Sequence, residues 1–419
     1  MRRKTALRGL FAALAAMVAV SIMAAMPAAG ATVESAAAQT TIRIWTDRDR
    51  KADIERIAAA WGARRGVTTV VVEKGFGDIR DQLKTVQPES APDVIIGAHD
   101  WTGQLAADGL VLPLQPRQAT LRQFPRYALD AFSYGTSTKR LYGAPVALEN
   151  VGLVVNTRLA PVPRTWAGLQ RSALAFKNRN AENLGIAVPQ APAGDAYHMY
   201  PFFSGLGGYV FGKTARGTLN PRNIGVANPR FLRNVAMIDT WNRSGLINSR
   251  VNYDVAKNAF LRGQAAYWIT GPWEADTLKQ SGLRFRIVQV PRIKYRSVPF
   301  LGVQGFMVTR FANVHGVGTL AKDLVASYIM TASSQRALAA ANGRFPANLT
   351  AGRQVRDTVL AQFGRAGQGG VPMPNIPQMS SVWEELGGAW LKSTQGANAT
   401  RARAAFTTAA RNIRNKIGG

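Results

Sequence analysis

Thr41-Ile42-Arg43-Ile44-Trp45 alternates polar and apolar side chains, the period-two pattern of a strand. Ile54, Ile57, Ala58 and Trp61 then recur at helical spacing, and Gly66 stops the run. Residues 67–73 read as a second strand, and Asp93-Val94-Ile95-Ile96 as a third. The apolar positions are continuous here, as in strands buried on both faces. Strand, helix and strand at this spacing predict a parallel sheet with crossover helices.

The same rhythm returns at 151–156, near 184–188, and at 265–270 after a helix ending near Gly263. Residues 285–290 and 306–309 are further strand candidates, and the glycine-dense stretch 364–370 reads as a loop. A chain of 419 residues exceeds one ordinary domain, so two open α/β lobes are expected. No internal repeat is visible.

The N-terminus reads as a targeting segment. Arg2, Arg3, Lys4 and Arg8 precede an apolar run over 9–26, and Ala29-Gly30-Ala31 forms an A-x-A-like cleavage site. Residues 1–31 are therefore expected to be a signal peptide, with an uncleaved membrane anchor as the alternative. There is no cysteine, which excludes disulfides, thiolate metal sites, a cysteine nucleophile and a lipid-bearing N-terminal cysteine. A freely diffusing periplasmic protein is the simpler expectation.

The formal charge is +28, of which four basic residues belong to the N-terminal segment. The basic residues are scattered rather than blocked. Their densest run, 401–416, lies on a helical pattern with Phe406, Ala409, Ile413 and Ile417 on the opposite stripe, which reads as a solvated helix face. No specific nucleic-acid partner is expected, and a basic surface adhesin is a lesser alternative. His99, His198 and His315 show no metal spacing, and neither a G-x-S-x-G elbow nor a phosphate-loop lysine is present. The reading is a non-enzyme without cofactor or metal. A secreted glycosidase, which needs only two facing carboxylates, is the enzymatic alternative.

Pro372, Pro374 and Pro377 fall within six positions and rule out a regular helix or central strand there. The stretch is a stiff, extended connection that delivers Trp383 to a fixed place. Gly271-Pro272-Trp273 follows the strand pattern at 265–270, and Gly-Pro starts a helix with the indole in its first turn. In Thr46-Asp47-Arg48-Asp49-Arg50 the acidic residues follow the first strand at its carboxyl end, where open α/β sheets bind ligands. Either Asp47 or Asp49 could instead cap the next helix. Carboxylates mixed with Trp and Tyr suit a sugar, whose hydroxyls want acceptors and whose ring faces want flat aromatics.

The run Met373-Pro374-Asn375-Ile376-Pro377-Gln378-Met379-Ser380 resembles, almost word for word, a segment of maltose- and maltodextrin-binding proteins, the soluble receptors of ABC sugar importers. The resemblance covers about residue 40 to the C-terminus. It implies an α/β, two-lobe periplasmic-binding-protein fold (type II), each lobe a mainly parallel sheet with flanking helices, hinged by crossing segments near 148–152, 302 and 352. The N-terminal lobe would comprise 40–148 plus 303–352, and the C-terminal lobe 149–302 plus 353–419. The implied function is capture of maltose or maltodextrin between the lobes by a monomer and delivery to ABC permease subunits. Trehalose, sucrose or an acidic oligosaccharide are alternative cargoes.

The resemblance also implies site residues. It gives Asp49 a hydroxyl-binding role, with Asp47 and Arg50 beside it. Ala98-His99-Asp100-Trp101 resembles the family's Ala-His-Asp segment, with Asp100 as acceptor. Trp101 stands where the best-known member has arginine, while Gly97 replaces a tryptophan, so the pocket is re-cut. Glu149 falls at the first lobe crossing. Asp195 and Tyr197 match a Glu-Pro-Tyr triplet, with the carboxylate one methylene shorter and the proline absent. Trp273 and Trp383 become stacking platforms, and Met373 belongs to the same cleft.

Overall fold

The computed structural model describes residues 40–135 and 138–418. The expected signal peptide lies outside the described residues. Among the described residues, no helix is long and apolar enough to cross a membrane.

Nine strands carry the argument: β1 (Thr41–Thr46), β2 (Thr68–Glu73), β3 (Val94–Ala98), β4 (Ala144–Glu149), β5 (Gly152–Asn156), β6 (Tyr267–Thr270), β7 (Phe285–Val288), β8 (Phe300–Val308) and β9 (Phe345–Pro346). The larger sheet has the order β9-β4-β8-β3-β1-β2. Its β1–β2 and β1–β3 pairs are parallel, as the opening rhythm predicts. The crossover helix Lys51–Arg65 buries Ile54, Ile57, Ala58 and Trp61, the residues picked out by their spacing.

Strand direction is more mixed than that rhythm suggests. β8 runs antiparallel to both β3 and β4, and β9 is antiparallel to β4. The physical reason is the route of the chain. β8 enters the sheet from the second sheet rather than over a crossover helix, and it starts at Phe300, not at 306. The smaller sheet, β6-β5-β7, is antiparallel throughout. The expected strand near 184–188 contributes only two isolated parallel bridges, Leu184 to Ala265 and Ala187 to Trp268. The chain passes from the larger sheet to the smaller between Glu149 and Gly152, and returns between Val288 and Phe300.

Both faces of each sheet are covered. Ile42 and Ile44 pack with Trp61 on one side of β1, whereas Trp45 joins Ile79, Leu83 and Trp101 on the other. In the smaller sheet Val154, Trp268 and Ile287 pack with Phe260 and Phe363, and Leu153, Val155 and Ile269 face the opposite cluster. Burying each such side chain contributes about 1.5–3 kcal/mol. The loop expected over 364–370 begins later, because helix Thr358–Ala366 buries Leu360, Phe363 and Ala366 at three-residue intervals. The terminal helix Ala402–Gly418 buries Phe406, Ala409 and Ile413 and exposes Arg403, Arg411 and Arg414.

Candidate functional site

A cleft of about 750 Å³ opens beyond the carboxyl ends of β1 and β3. Its size falls within the usual range for small-molecule sites, about 300–1,000 Å³. All eleven residues singled out in the sequence line it: Asp47, Asp49, Arg50, Asp100, Trp101, Glu149, Asp195, Tyr197, Trp273, Met373 and Trp383.

The turn after β1 does not cap the next helix with a carboxylate. Arg50 is the N-cap residue, without a side-chain cap bond. Asp47 instead accepts from Arg50 Nε at 2.7 Å. Burial pushes the Asp47 carboxyl up, but the Arg50 guanidinium outweighs it and holds the pKa below the usual value. Arg50 also donates to Gln304 Oε1 at 3.1 Å, and Gln304 donates to Glu149 Oε1 at 2.7 Å. Arg344 donates to Glu149 Oε2 at 3.3 Å. Asp47, Arg50, Gln304, Glu149 and Arg344 thus form one buried polar chain from β1 to β4 and β8. Glu149 is held firmly within it, whereas Asp49 is exposed at the rim.

Beyond β3, His99 is fully buried. Its Nδ1 accepts from the Val303 N–H at 3.0 Å, so Nε2–H donates to the Met373 carbonyl, also at 3.0 Å. Burial lowers its pKa to about 4 and keeps it neutral. This clamps the proline-rich segment to the larger sheet. Asn375 Nδ2 reinforces the clamp by donating to the carbonyls of Asp130, Ala131 and Ser133. Gly103 is required here because a β-carbon would overlap the Asn375 carbonyl and the Ile376 backbone. From that anchor the helix Ser380–Ser393 brings Trp383 Nε1 to Asp100 Oδ2 at 2.9 Å. Burial raises the Asp100 pKa to about 6, against the opposing pull of the Trp383 bond and the Arg80 charge.

The aromatic side of the cleft is continuous. Trp273, on the turn Pro272–Glu274, lies 6.2 Å from Tyr197, which stacks at 6.3 Å on the buried Phe300; Phe300 meets Trp383 at 5.7 Å. A second grouping is separate. Trp101 is buried against Phe76 at 4.9 Å, and Phe76 keeps 39% of its surface exposed in the cleft with the Arg50 guanidinium 5.5 Å from its ring centre.

Asp195 caps the helix Ala196–Gly205. Oδ1 accepts from the His198 N–H at 2.9 Å, and Oδ2 lies 2.7 Å from His198 Nδ1. Burial raises its pKa, but the contacts with His198 bring it below the ordinary value. Burial, followed by the charges of Glu149, Asp195 and Asp100, pushes the Tyr197 phenol well above its usual range, so it keeps its proton. Asp47 Oδ1, Tyr197 Oη and His198 Nε2 are buried without a hydrogen-bond partner among the described residues.

The cleft residues not singled out from the sequence include Phe76, His198, Tyr253, Gln304 and Arg344. Gln304 had a readable signal, a lone amide in the apolar run Phe300–Val308. Arg344 had none, since it reaches the site from 195 residues beyond Glu149. The lining holds five Arg and Lys side chains and six Asp and Glu, so the chain's basic surplus lies elsewhere.

Residues 56–359 match the model of the bacterial extracellular solute-binding protein family. The chain belongs to that family. This solute-binding protein is 25% identical over 390 residues to the galactooligosaccharide-binding protein of Bacillus subtilis (strain 168), covering 88% of each chain. It is 27% identical over 353 residues to the maltodextrin-binding protein MdxE of the same organism, covering 79% of each. The structure of the Thermus thermophilus maltotriose binding protein bound with maltotriose superposes with a TM-score of 0.80 at 28% identity, covering 90% of this chain and 100% of that one. The solute-binding protein therefore has the mixed α/β fold of periplasmic binding proteins.

Proposed function

We propose that the protein is the sugar receptor of an ABC importer and that its cargo is maltose or a maltodextrin. The observation that carries this reading is the cleft itself. Trp273, Tyr197 and Trp383 form an aromatic band beside the acceptors Asp49 and Asp100, within a lining whose charges nearly cancel. Flat rings receive the apolar faces of a pyranose, and carboxylates accept from its hydroxyls. A near-neutral lining favours neutral sugar over an acidic oligosaccharide. The maltodextrin- and maltotriose-binding relatives support the same choice.

Two lobes, 40–148 plus 303–352 and 149–302 plus 353–419, close around the sugar about the crossings near Glu149, Gly302 and Gly352. Sugar that touches both lobes only in the closed form shifts the population towards it. The closed monomer then engages permease subunits powered by cytoplasmic ATPases, after export into the periplasm and removal of residues 1–31. Sugar is released intact, without covalent chemistry.

A thermal-shift panel tests the proposal with maltose, maltotriose, a galactooligosaccharide, trehalose, sucrose, a uronate oligomer and heparin. The proposal expects the largest rise in melting temperature from an α-glucan. A larger rise with another sugar reassigns the cargo, and salt-sensitive retention on heparin alone favours the adhesin. Consumption of the sugar during incubation makes the protein a glycosidase.

A further inference from the structure

His198 is 7% exposed and sits among the aromatic residues of the cleft, 5.6 Å from Trp273, 5.7 Å from Tyr197 and 6.2 Å from Tyr253. Its two ring nitrogens have different surroundings. Nδ1 faces a carboxylate oxygen of Asp195 at 2.7 Å, and a carboxylate only accepts, so the ring proton belongs on Nδ1. Nε2 is buried and has no partner among the described residues. In the neutral ring it presents a bare lone pair. A buried acceptor left without a donor is unfavourable, so a donor from the ligand would be gained there. Both Asp195 oxygens are engaged by His198, since the other one caps the helix through the His198 N–H.

We propose that His198 Nε2 accepts a hydrogen bond from a hydroxyl of the bound sugar, and that Asp195 acts through it by fixing the tautomer. The proposal rests on the sugar reading above and deepens it. The Asp195 carboxylate serves the ligand at one remove, and the imidazole extends its reach into the cleft. A pyranose stacked on Trp273 carries hydroxyls around its rim, next to a ring that stands at 80° to that indole.

The test uses the full-length mature protein with maltotriose as probe at pH 8. Titration calorimetry compares the wild type with His198→Phe, His198→Gln and Asp195→Asn. The asparagine keeps a carbonyl for the helix cap while its amide donates to Nδ1, which moves the ring proton to Nε2 and turns the acceptor into a donor. The expected result is at least tenfold weaker binding for His198→Phe and for Asp195→Asn, with part of the loss restored in His198→Gln. Imidazole ¹⁵N spectra of the wild type give a readout independent of any variant's folding: Nε2 should shift as maltotriose is added while Nδ1 stays in its protonated range. Maltotriose binding that leaves the Nε2 resonance unmoved, or folded His198→Phe that binds as tightly as wild type, overturns the assignment and leaves the sugar reading standing. Wild type that binds none of the sugars overturns both.

Discussion

The indole of Trp101 lies over Gly97, in space that a β-carbon at position 97 would occupy. The two positions are thus one structural unit. Glycine at the end of β3 makes room for a tryptophan four residues on, and that tryptophan in turn supports Phe76 at 4.9 Å. Gly97→Ala should therefore destabilise the fold by about 2 kcal/mol through overpacking and shift the Trp101 fluorescence. Urea unfolding with a matched emission spectrum checks this. An alanine variant of wild-type stability and spectrum would show that the indole has room to move.

Asp100 should give stability and binding opposite responses to pH. Its pKa in the folded protein, about 6, lies above the ordinary 3.8 because of burial, with the Trp383 bond and Arg80 opposing. Between about pH 4 and 6 the folded state keeps a proton that the unfolded chain has released, so stability falls as pH rises through this window. The change is on the order of 3 kcal/mol. Sugar affinity should move the other way, weakening below about pH 6 as the charged acceptor is lost. Urea titrations and calorimetry from pH 4 to 7, each referenced to Asp100→Asn, isolate this group from other carboxylates.

The buried chain that ends at Arg344 should be costly to cut at one end. Arg344→Met leaves Glu149 with Gln304 as its remaining side-chain donor among the described residues, and should destabilise by about 3 kcal/mol. The double variant Glu149→Gln with Arg344→Met should lose less than the sum of the single losses, because no stranded charge remains. A double-mutant cycle in urea measures the difference. Additive losses would mean that the pair is not coupled.

Much of this site was legible because its residues sit on short, chemically distinctive motifs. The proline run around Met373 and the Gly-Pro-Trp at 271–273 each announce a fixed turn carrying an aromatic, and both lie on the cleft. The opening strands were readable from period and burial alone. The mixed direction of the larger sheet was not, because β8 pairs with β3 across some 200 residues and nothing local records its sense. The same distance hid Arg344. His198 was hidden differently: it stands in a recognisable segment, but only the fold shows that Asp195 spends its oxygens on it.

Titration calorimetry of the mature protein with maltotriose tests the central claim most directly. The account predicts a saturable, one-to-one heat of binding near micromolar affinity, about −8 kcal/mol, with the sugar recovered intact. Absence of heat with maltotriose and every other neutral sugar, at concentrations up to millimolar, would contradict it.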